Sequence, residues 1–195
     1  MRKTNSSPHG KLSRVSRACF LVLCTTWCIT VGFVQLSDAT QDTVFTGTWY
    51  HQGDANERAR RYEAIDRVTE GLNILIRGRA RQKLRAETTP PQAITLTDKG
   101  NQVTIDMRGR RVTLTTDGKP IRVNSDRGSA TIRALRQKGQ LVVVAQGENG
   151  AQTTVYRLSD DRLRLTLDIS ISGKKLRQPL RYQATYVRSA KARKQ

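Results

Sequence analysis

The sequence predicts a mainly β protein: an antiparallel up-and-down meander β-barrel of about ten strands, with a helix-turn-helix lid after the first strand. Three observations carry that expectation. A β-branched and aromatic run, Thr43 to His51, is followed at once by a helix-start signal at Asp54. From Gln92 onward the apolar residues recur with a period of two instead of nearly four. Turn residues then interrupt the chain about every ten positions, the rhythm of short strands joined by tight turns.

The first helix is expected from Ala55 to Glu70. Asp54 stands at the cap position and Glu57 in the first turn, both facing the positive end of the helix dipole. Ala55, Ala59, Tyr62, Ile65, Val68 and Leu72 recur at steps of three or four and define one apolar stripe. Glu57 with Arg61, and Glu63 with Arg67, have the spacing of solvated ion pairs, each worth about 0.2 to 0.5 kcal/mol. Asp54, Asp66 and Glu70 read as further solvated acids, and Gly71 occupies the C-cap position. A second helix is expected from Leu72 to Glu87, with Leu72, Ile76, Ala80 and Leu84 at steps of four. Gly78 costs it about 1 kcal/mol relative to alanine, and "NILIR" alone also fits a strand. Thr88-Thr89-Pro90-Pro91 ends the helical part.

Nine strand-like runs follow: "AITLTD", "QVTIDM", "RRVTLTT", "PIRVNS", "ATIRALR", "QLVVVAQ", "TTVYRLS", "DRLRLTLDIS" and "PLRYQATYVR". The cleanest alternation sets Leu163, Leu165, Leu167, Ile169 and Ile171 against Arg162, Arg164, Thr166, Asp168 and Ser170, one face dry and one wet. Such a meander hides its edges by closing into a barrel. The expected inward set is Ile94, Leu96, Val103, Ile105, Val112, Leu114, Ile121, Val123, Ile132, Val143, Leu163, Leu165 and Leu167.

The chain has 195 residues, with 35 Lys plus Arg against 16 Asp plus Glu, which fits one strongly basic domain. Residues 1–39 read as a signal peptide. Arg2, Lys3, Lys11, Arg14 and Arg17 make a positive leader, Ala18 to Leu36 carries no charge, and Ser37-Asp38-Ala39 has small residues where a cleavage site needs them. The alternative is an uncleaved anchor, because the uncharged run approaches the ~20 residues that span a bilayer. Either way the rest is expected to be exported, periplasmic or extracellular, and membrane-anchored if the leader stays. Cys19, Cys24 and Cys28 all lie in the leader, so the barrel domain expected at 40–190 can form no disulfide. Lipid attachment at one of them is a third option, which the preceding residues Ala18, Leu23 and Trp27 do not favour. Residues 191–195 form a basic tail. The leader takes five basic residues and one acid, leaving the exported part at about +15.

Gly47-Thr48-Trp49 resembles the Gly-x-Trp start of the calycin superfamily, the lipocalins and the intracellular fatty-acid-binding proteins. The order of strand, helix-turn-helix and nine-strand meander is similar to the fatty-acid-binding type. The layout over residues 44 to 188 is also similar to uncharacterised exported bacterial proteins of lipocalin-like form, which supply a fold and no activity. The resemblance implies that Trp49 packs under the closed end of the barrel against Arg188. The family's carboxylate-holding Arg-x-Tyr of the last strand stands here in reverse, as Tyr186-Val187-Arg188, and the expected helices are longer than the family's lid.

Catalysis has little to stand on. The exported part holds one histidine, His51, and no cysteine, so a His/Cys metal cluster or a Cys-His nucleophile pair cannot be assembled. No Gly-x-Ser-x-Gly elbow and no phosphate-cradling glycine motif occurs. No catalytic residue, metal or cofactor is expected, and His51 reads as a strand-end surface residue. A barrel lumen offers the better site, where Tyr156, Tyr182 and Tyr186 either orient the polar head of a hydrophobic or amphipathic small molecule or seal a filled core. Arg77, Arg79, Arg81, Lys83 and Arg85 crowd the second helix, and Lys174, Lys175, Arg177 and Arg181 the last turn. They are candidate contacts for an anionic membrane or polysaccharide surface, at about 1 kcal/mol per residue beside an anionic bilayer. The rival reading is charge that serves solubility alone. Nucleic acid is disfavoured by export and by the lack of aromatics among the basic runs. Two functions stay open: a non-enzymatic carrier of a lumenal ligand, and an envelope-associated structural or adhesion module with a filled barrel and a basic exterior.

Overall fold

The alternating runs all become strands of one antiparallel sheet. The structure, a computed structural model, describes residues 44–125 and 128–188; the leader, its cleavage site and the basic tail lie outside these. The elements are β1 (Gly47–His51), α1 (Ala55–Glu70), α2 (Ile74–Glu87), β2 (Ala93–Asp98), β3 (Gln102–Met107), β4 (Arg110–Thr115), β5 (Ile121–Ser125), β6 (Gly128–Gln137), β7 (Gln140–Gly147), β8 (Gly150–Leu158), β9 (Arg164–Gly173) and β10 (Leu180–Arg188). The sheet order is β4-β3-β2-β1-β10-β9-β8-β7-β6-β5. This is the mainly β, up-and-down meander that the sequence predicts, with both helices after the first strand.

Closure is incomplete, which corrects one expectation. β4 and β5 are not hydrogen-bonded to each other, so the barrel is nearly closed, with a seam between them. At the end away from the helices the chain laces that seam by other means. The Gly118 amide donates to the Ala134 carbonyl at 2.8 Å, and Asp117 forms an isolated bridge to Leu135. Arg136 reaches across from β6, donating through Nε to the Gly100 carbonyl at 2.9 Å and through Nη2 to the Asp98 carboxylate. Asp98 also accepts from the Gly100 amide at 3.1 Å and from the Phe45 amide at 3.5 Å. A buried charge needs partners of this kind.

The same end is plugged by Trp49, which is fully buried and pairs in register with Arg188. Its indole Nε1 donates to the Phe45 carbonyl at 3.0 Å, and the Arg188 guanidinium carbon lies 5.0 Å from the ring centre. Arg188 in turn donates to the carbonyls of Thr46 at 2.5 Å and Val44 at 3.4 Å. Gly47 makes room for this. Its φ of +148° is a conformation that side chains disfavour, and a Cβ there would sit 3.2 Å from Arg188 Nε. Gly-x-Trp is thus a seat for the arginine as well as for the indole.

Phe45, Trp49, Ile94, Leu96, Val103, Ile105, Leu114, Ala134, Leu141, Tyr156, Leu165, Leu167 and Tyr186 fill the closed half as one core. Towards the helical end and the seam the lining is looser. Met107, Val112, Ile121, Ile132, Val143, Ile171 and Tyr182 are only partly buried against it. Leu163 departs from the expected inward set. It is 40% exposed because β9 starts one residue later, so the alternation continued into a turn.

α1 keeps its expected bounds but turns a different face inward. Glu57, Arg61, Ala64, Ile65, Val68 and Thr69 are buried, whereas Ala55 and Ala59 are exposed. The expected Glu57–Arg61 and Glu63–Arg67 surface pairs do not form among the described residues. Glu57 is drawn in by distant partners: Oε2 accepts from the Thr185 amide at 2.8 Å, and Oε1 lies 2.8 Å from His51 Nε2. His51 is therefore half-buried and paired, not the surface residue expected. A Cβ at Gly53 would collide with both the Glu57 carboxylate and the His51 ring, so this corner requires glycine. Gly71 is the C-cap of α1 but has φ −77°, so it does not use the left-handed conformation; its missing side chain makes way for Arg177.

A cleft at the helical end

α2 begins at Asn73, whose side chain caps the Leu75 amide at 2.9 Å. None of the α2 residues is buried. The predicted stripe Leu72, Ile76, Ala80 and Leu84 is real and lines an opening, with Leu84 also packing against the α1 core. Opposite lie Ala130, Ala145, Gly147, Gly150, Ala151, Gln152 and Ile171 from the ends of β6, β7, β8 and β9. Together they enclose a cleft of about 810 Å³. Its floor is made of small residues, which is why side chains of the opposing helix leave it unfilled.

Charge gathers at the rim. Arg79, Lys83, Lys174 and Lys175 line the cleft mouth with Glu87. The five basic residues of α2 thus divide by helical angle. Arg79 and Lys83 face the cleft, while Arg81 and Arg85 turn towards α1 and Arg77 towards the turn between the helices. Arg77 donates to the Leu72 carbonyl at 3.1 Å. Arg81 and Arg85 grip Asp66 at 3.1 and 3.3 Å, and Arg85 lies 4.6 Å over the Tyr62 ring. Arg81 and Arg85 tie α2 to α1, and Arg79 and Lys83 stand beside the cleft. An apolar tip, Ile74, Leu75 and Ile76, projects beside them, with exposures of 77%, 84% and 51%.

The three candidate tyrosines occupy different levels. Tyr156 is buried in the closed half, and burial pushes its phenol well above the usual range. Tyr186 is fully buried and donates to the Pro91 carbonyl at 3.2 Å; burial raises its phenol too, helped by Tyr156 and the Glu57 charge. Tyr182 stands highest. It is half-buried, and burial pushes its phenol up to about 12 against the opposing pull of Arg61 and Arg108. It packs with Ile171 against the α1 cluster of Ala64, Ile65, Val68 and Leu180.

Sequence reasoning missed one residue here, Arg61. It is 4% exposed, on the inner face of α1. The available signal was its place four and seven residues from the apolar positions Ile65 and Val68, on their face, where a solvated arginine does not belong. Among the described residues no group of His, Cys, Asp and Glu is arranged to hold a metal ion.

No protein-family model and no curated protein matches the chain. Among solved structures it is similar to an abundant heat soluble (SAHS) protein from Ramazzottius varieornatus, with TM-score 0.48 and 11% identity over 75% of this chain and 96% of that one. It is similar to the fluorescent protein UnaG, with TM-score 0.48 and 15% identity over 74% and 97% of the two chains. It is also similar to fatty-acid-binding protein 1 of Echinococcus granulosus, with TM-score 0.43 and 11% identity over 75% and 98%.

Proposed function

We propose that this is an exported, non-enzymatic binding protein that takes a hydrophobic or amphipathic small molecule into the open end of its barrel. The observation that carries this is the cleft of about 810 Å³ between the apolar stripe of α2 and the small-residue floor of β6 to β9. Ligand sites occupy roughly 300 to 1,000 Å³ and are lined mainly by apolar groups with a few polar ones. α2 fits the part of a lid, since it is tied to α1 by surface ion pairs and by Leu84 alone among its apolar stripe, and none of its residues is fully buried. The export reading rests on the basic leader and the uncharged run after it.

The test is a titration of delipidated protein with 11-(dansylamino)undecanoic acid, followed by fluorescence. Saturable uptake that survives high salt is expected, and Ala145→Trp, which fills the floor, is expected to abolish it while leaving the melting temperature within a few degrees. Absence of saturable uptake by the wild type defeats the reading. Fractionation of producing cells, with sequencing of the mature N-terminus, tests export and cleavage.

The exposed tip Ile74, Leu75 and Ile76 beside Arg79, Lys83, Lys174 and Lys175 favours a second reading, docking on an anionic membrane surface. Apolar residues buried at an interface and cations above it reinforce each other. Co-sedimentation with phosphatidylglycerol vesicles, lost in Leu75→Ser and in high salt, is the expected result.

A further inference from the structure

Three recesses run in a row along the outside of the molecule, beside α1 and the strands β9 and β10. The first, about 440 Å³, is bordered by Glu70, Gly71 and Arg177. The second, about 320 Å³, is bordered by Ala64, Pro179 and Arg181. These two share a wall made of Arg67, Val68 and Gln178. Arg181 also borders the third, about 340 Å³, with Asp168, Ser170 and Gln183, which alternate with the inward residues of β9 and β10. No residue of the large cleft under α2 lines any of the three.

The cations of the row are all arginines, whereas Lys174 and Lys175 of the same β9–β10 connection border the large cleft. Among the described residues the side chains of Arg67, Arg177 and Arg181 form no hydrogen bond or ion pair, and all three are exposed. Arg177 lies across the end of α1, where a Cβ on Gly71 would stand 2.9 Å from its Cδ and 3.1 Å from its Nε. Arg67, in the last turn of α1, and Arg177 both suit the negative end of the helix dipole. Arg181 stands on a strand, where that account does not reach. Asp168, by contrast, is already engaged by Arg157 and Gln183. The large exposed apolar side chains are Tyr50, Ile74, Leu75, Ile76 and Leu163, and none of them lines the row, so it lacks what inserts into a bilayer.

We propose that this row binds an acidic oligosaccharide segment, a sugar chain whose successive units carry singly charged carboxylate or sulfate groups. Adjoining recesses that share walls fit an extended chain better than one compact ion. Guanidinium forks take planar oxyanions two bonds at a time, which lysine cannot do. Gln178, Ser170 and Gln183 supply donors and acceptors for sugar hydroxyls, Glu70 accepts from one, and Val68 and Pro179 offer an apolar rest for the C–H face of a ring. Three arginines partly offset by Glu70 match singly charged groups spread along a chain. The site lies outside the barrel and does not depend on the lumenal-ligand reading.

Calorimetric titration at about 0.15 M salt tests this with tetragalacturonate, a heparin tetrasaccharide and neutral maltotetraose. Saturable one-to-one binding of at least one acidic tetramer, and none of maltotetraose, is expected. Replacing Arg67, Arg177 and Arg181 together by glutamine should weaken it by about tenfold or more without moving the melting temperature by more than a few degrees, since all three are exposed. Replacing the same three by lysine keeps the net charge and should still weaken binding severalfold, because the fork is lost. A control variant with Lys99, Arg110 and Arg133 changed to glutamine loses equal charge elsewhere on the surface and should change affinity by less than about twofold, as distant exposed charges are screened. No binding of either acidic tetramer by the wild type overturns the proposal. Equal losses in the groove and control glutamine variants, or wild-type affinity in the lysine variant, show attraction by diffuse charge and overturn it as well. So does the pattern of a membrane site: phosphatidylglycerol vesicles held through these arginines while neither acidic tetramer binds.

Discussion

Arg188 and Trp49, at opposite ends of the barrel sequence, face each other across one ladder: the guanidinium carbon lies 5.0 Å from the indole ring centre and the two residues pair in register. β1 and β10 are joined there, so the indole and guanidinium pin the first strand to the last in the middle of the sheet. Trp49→Ala is expected to cost about 3 to 5 kcal/mol as a large buried truncation. Equilibrium denaturation checks it, and a loss below about 0.5 kcal/mol, within the range of ordinary surface changes, would show that the ring is not packed as described.

Asp98 has a fully buried carboxylate side chain that serves Arg136, the Gly100 amide and the Phe45 amide. Asp98→Ala strands a half-buried arginine and two amides, and is expected to cost about 3 to 5 kcal/mol, as removal of one partner from a buried pair does. Asp98→Asn keeps the shape and part of the hydrogen bonding, so it should fall between. Thermal melts of both variants rank them; an alanine variant as stable as the asparagine one defeats the latch account.

Asp66 is the residue to which Arg81 and Arg85 bind, and all three are partly exposed. Asp66→Asn should change global stability by no more than about 1 kcal/mol, the range of exposed pairs. Its effect is local, because no α2 residue is fully buried and, besides the packing of Leu84 and the stacking of Arg85 on Tyr62, this clamp ties α2 to α1. Hydrogen exchange in residues 74–87 should quicken well beyond that of the sheet; unchanged protection of α2 would assign its position to other contacts.

Alkaline stability follows from the tyrosines. Burial raises the phenols of Tyr156, Tyr182 and Tyr186 in the folded state, Tyr182 to about 12. Below the unfolded value of about 10 these groups are neutral in both states and stability is fully present. Above it only the unfolded chain ionises, so stability falls as pH rises from about 10 towards the folded values. Melting temperatures across that range, with phenolate absorbance read alongside, should decline together with unfolding. Ionisation of all three tyrosines at pH 10 without loss of structure contradicts the burial described.

The sheet was legible because strand alternation is local: each run from "AITLTD" to "PLRYQATYVR" carries its own period and its own turn. What alternation cannot show is where a strand stops, hence Leu163, or that two neighbours in sequence, β4 and β5, fail to pair. The inner face of α1 was hidden for a different reason. Glu57 turns inward to meet an amide 128 residues along the chain, and a sequence shows the acid without its distant partner, so Glu57 and Arg61 look like a surface pair. The stripe on α2 was visible, while its facing an empty cleft depends on small residues from four other strands. Likewise the basic residues of α2 read as one patch until the helix turns Arg81 and Arg85 towards α1 and Arg79 and Lys83 towards the cleft.

The unlaced stretch between β4 and β5 has a mechanical meaning. A fully hydrogen-bonded ring has its girth set by strand number and stagger, whereas a split ring can widen or narrow without breaking a backbone hydrogen bond. Here the slit is fastened at its foot by Asp117, Gly118 and Arg136 and runs up past the loosely packed Val112 and Ile121. Such a ring is pinned by hydrogen bonds at its base and free of backbone ties along the rest of its slit.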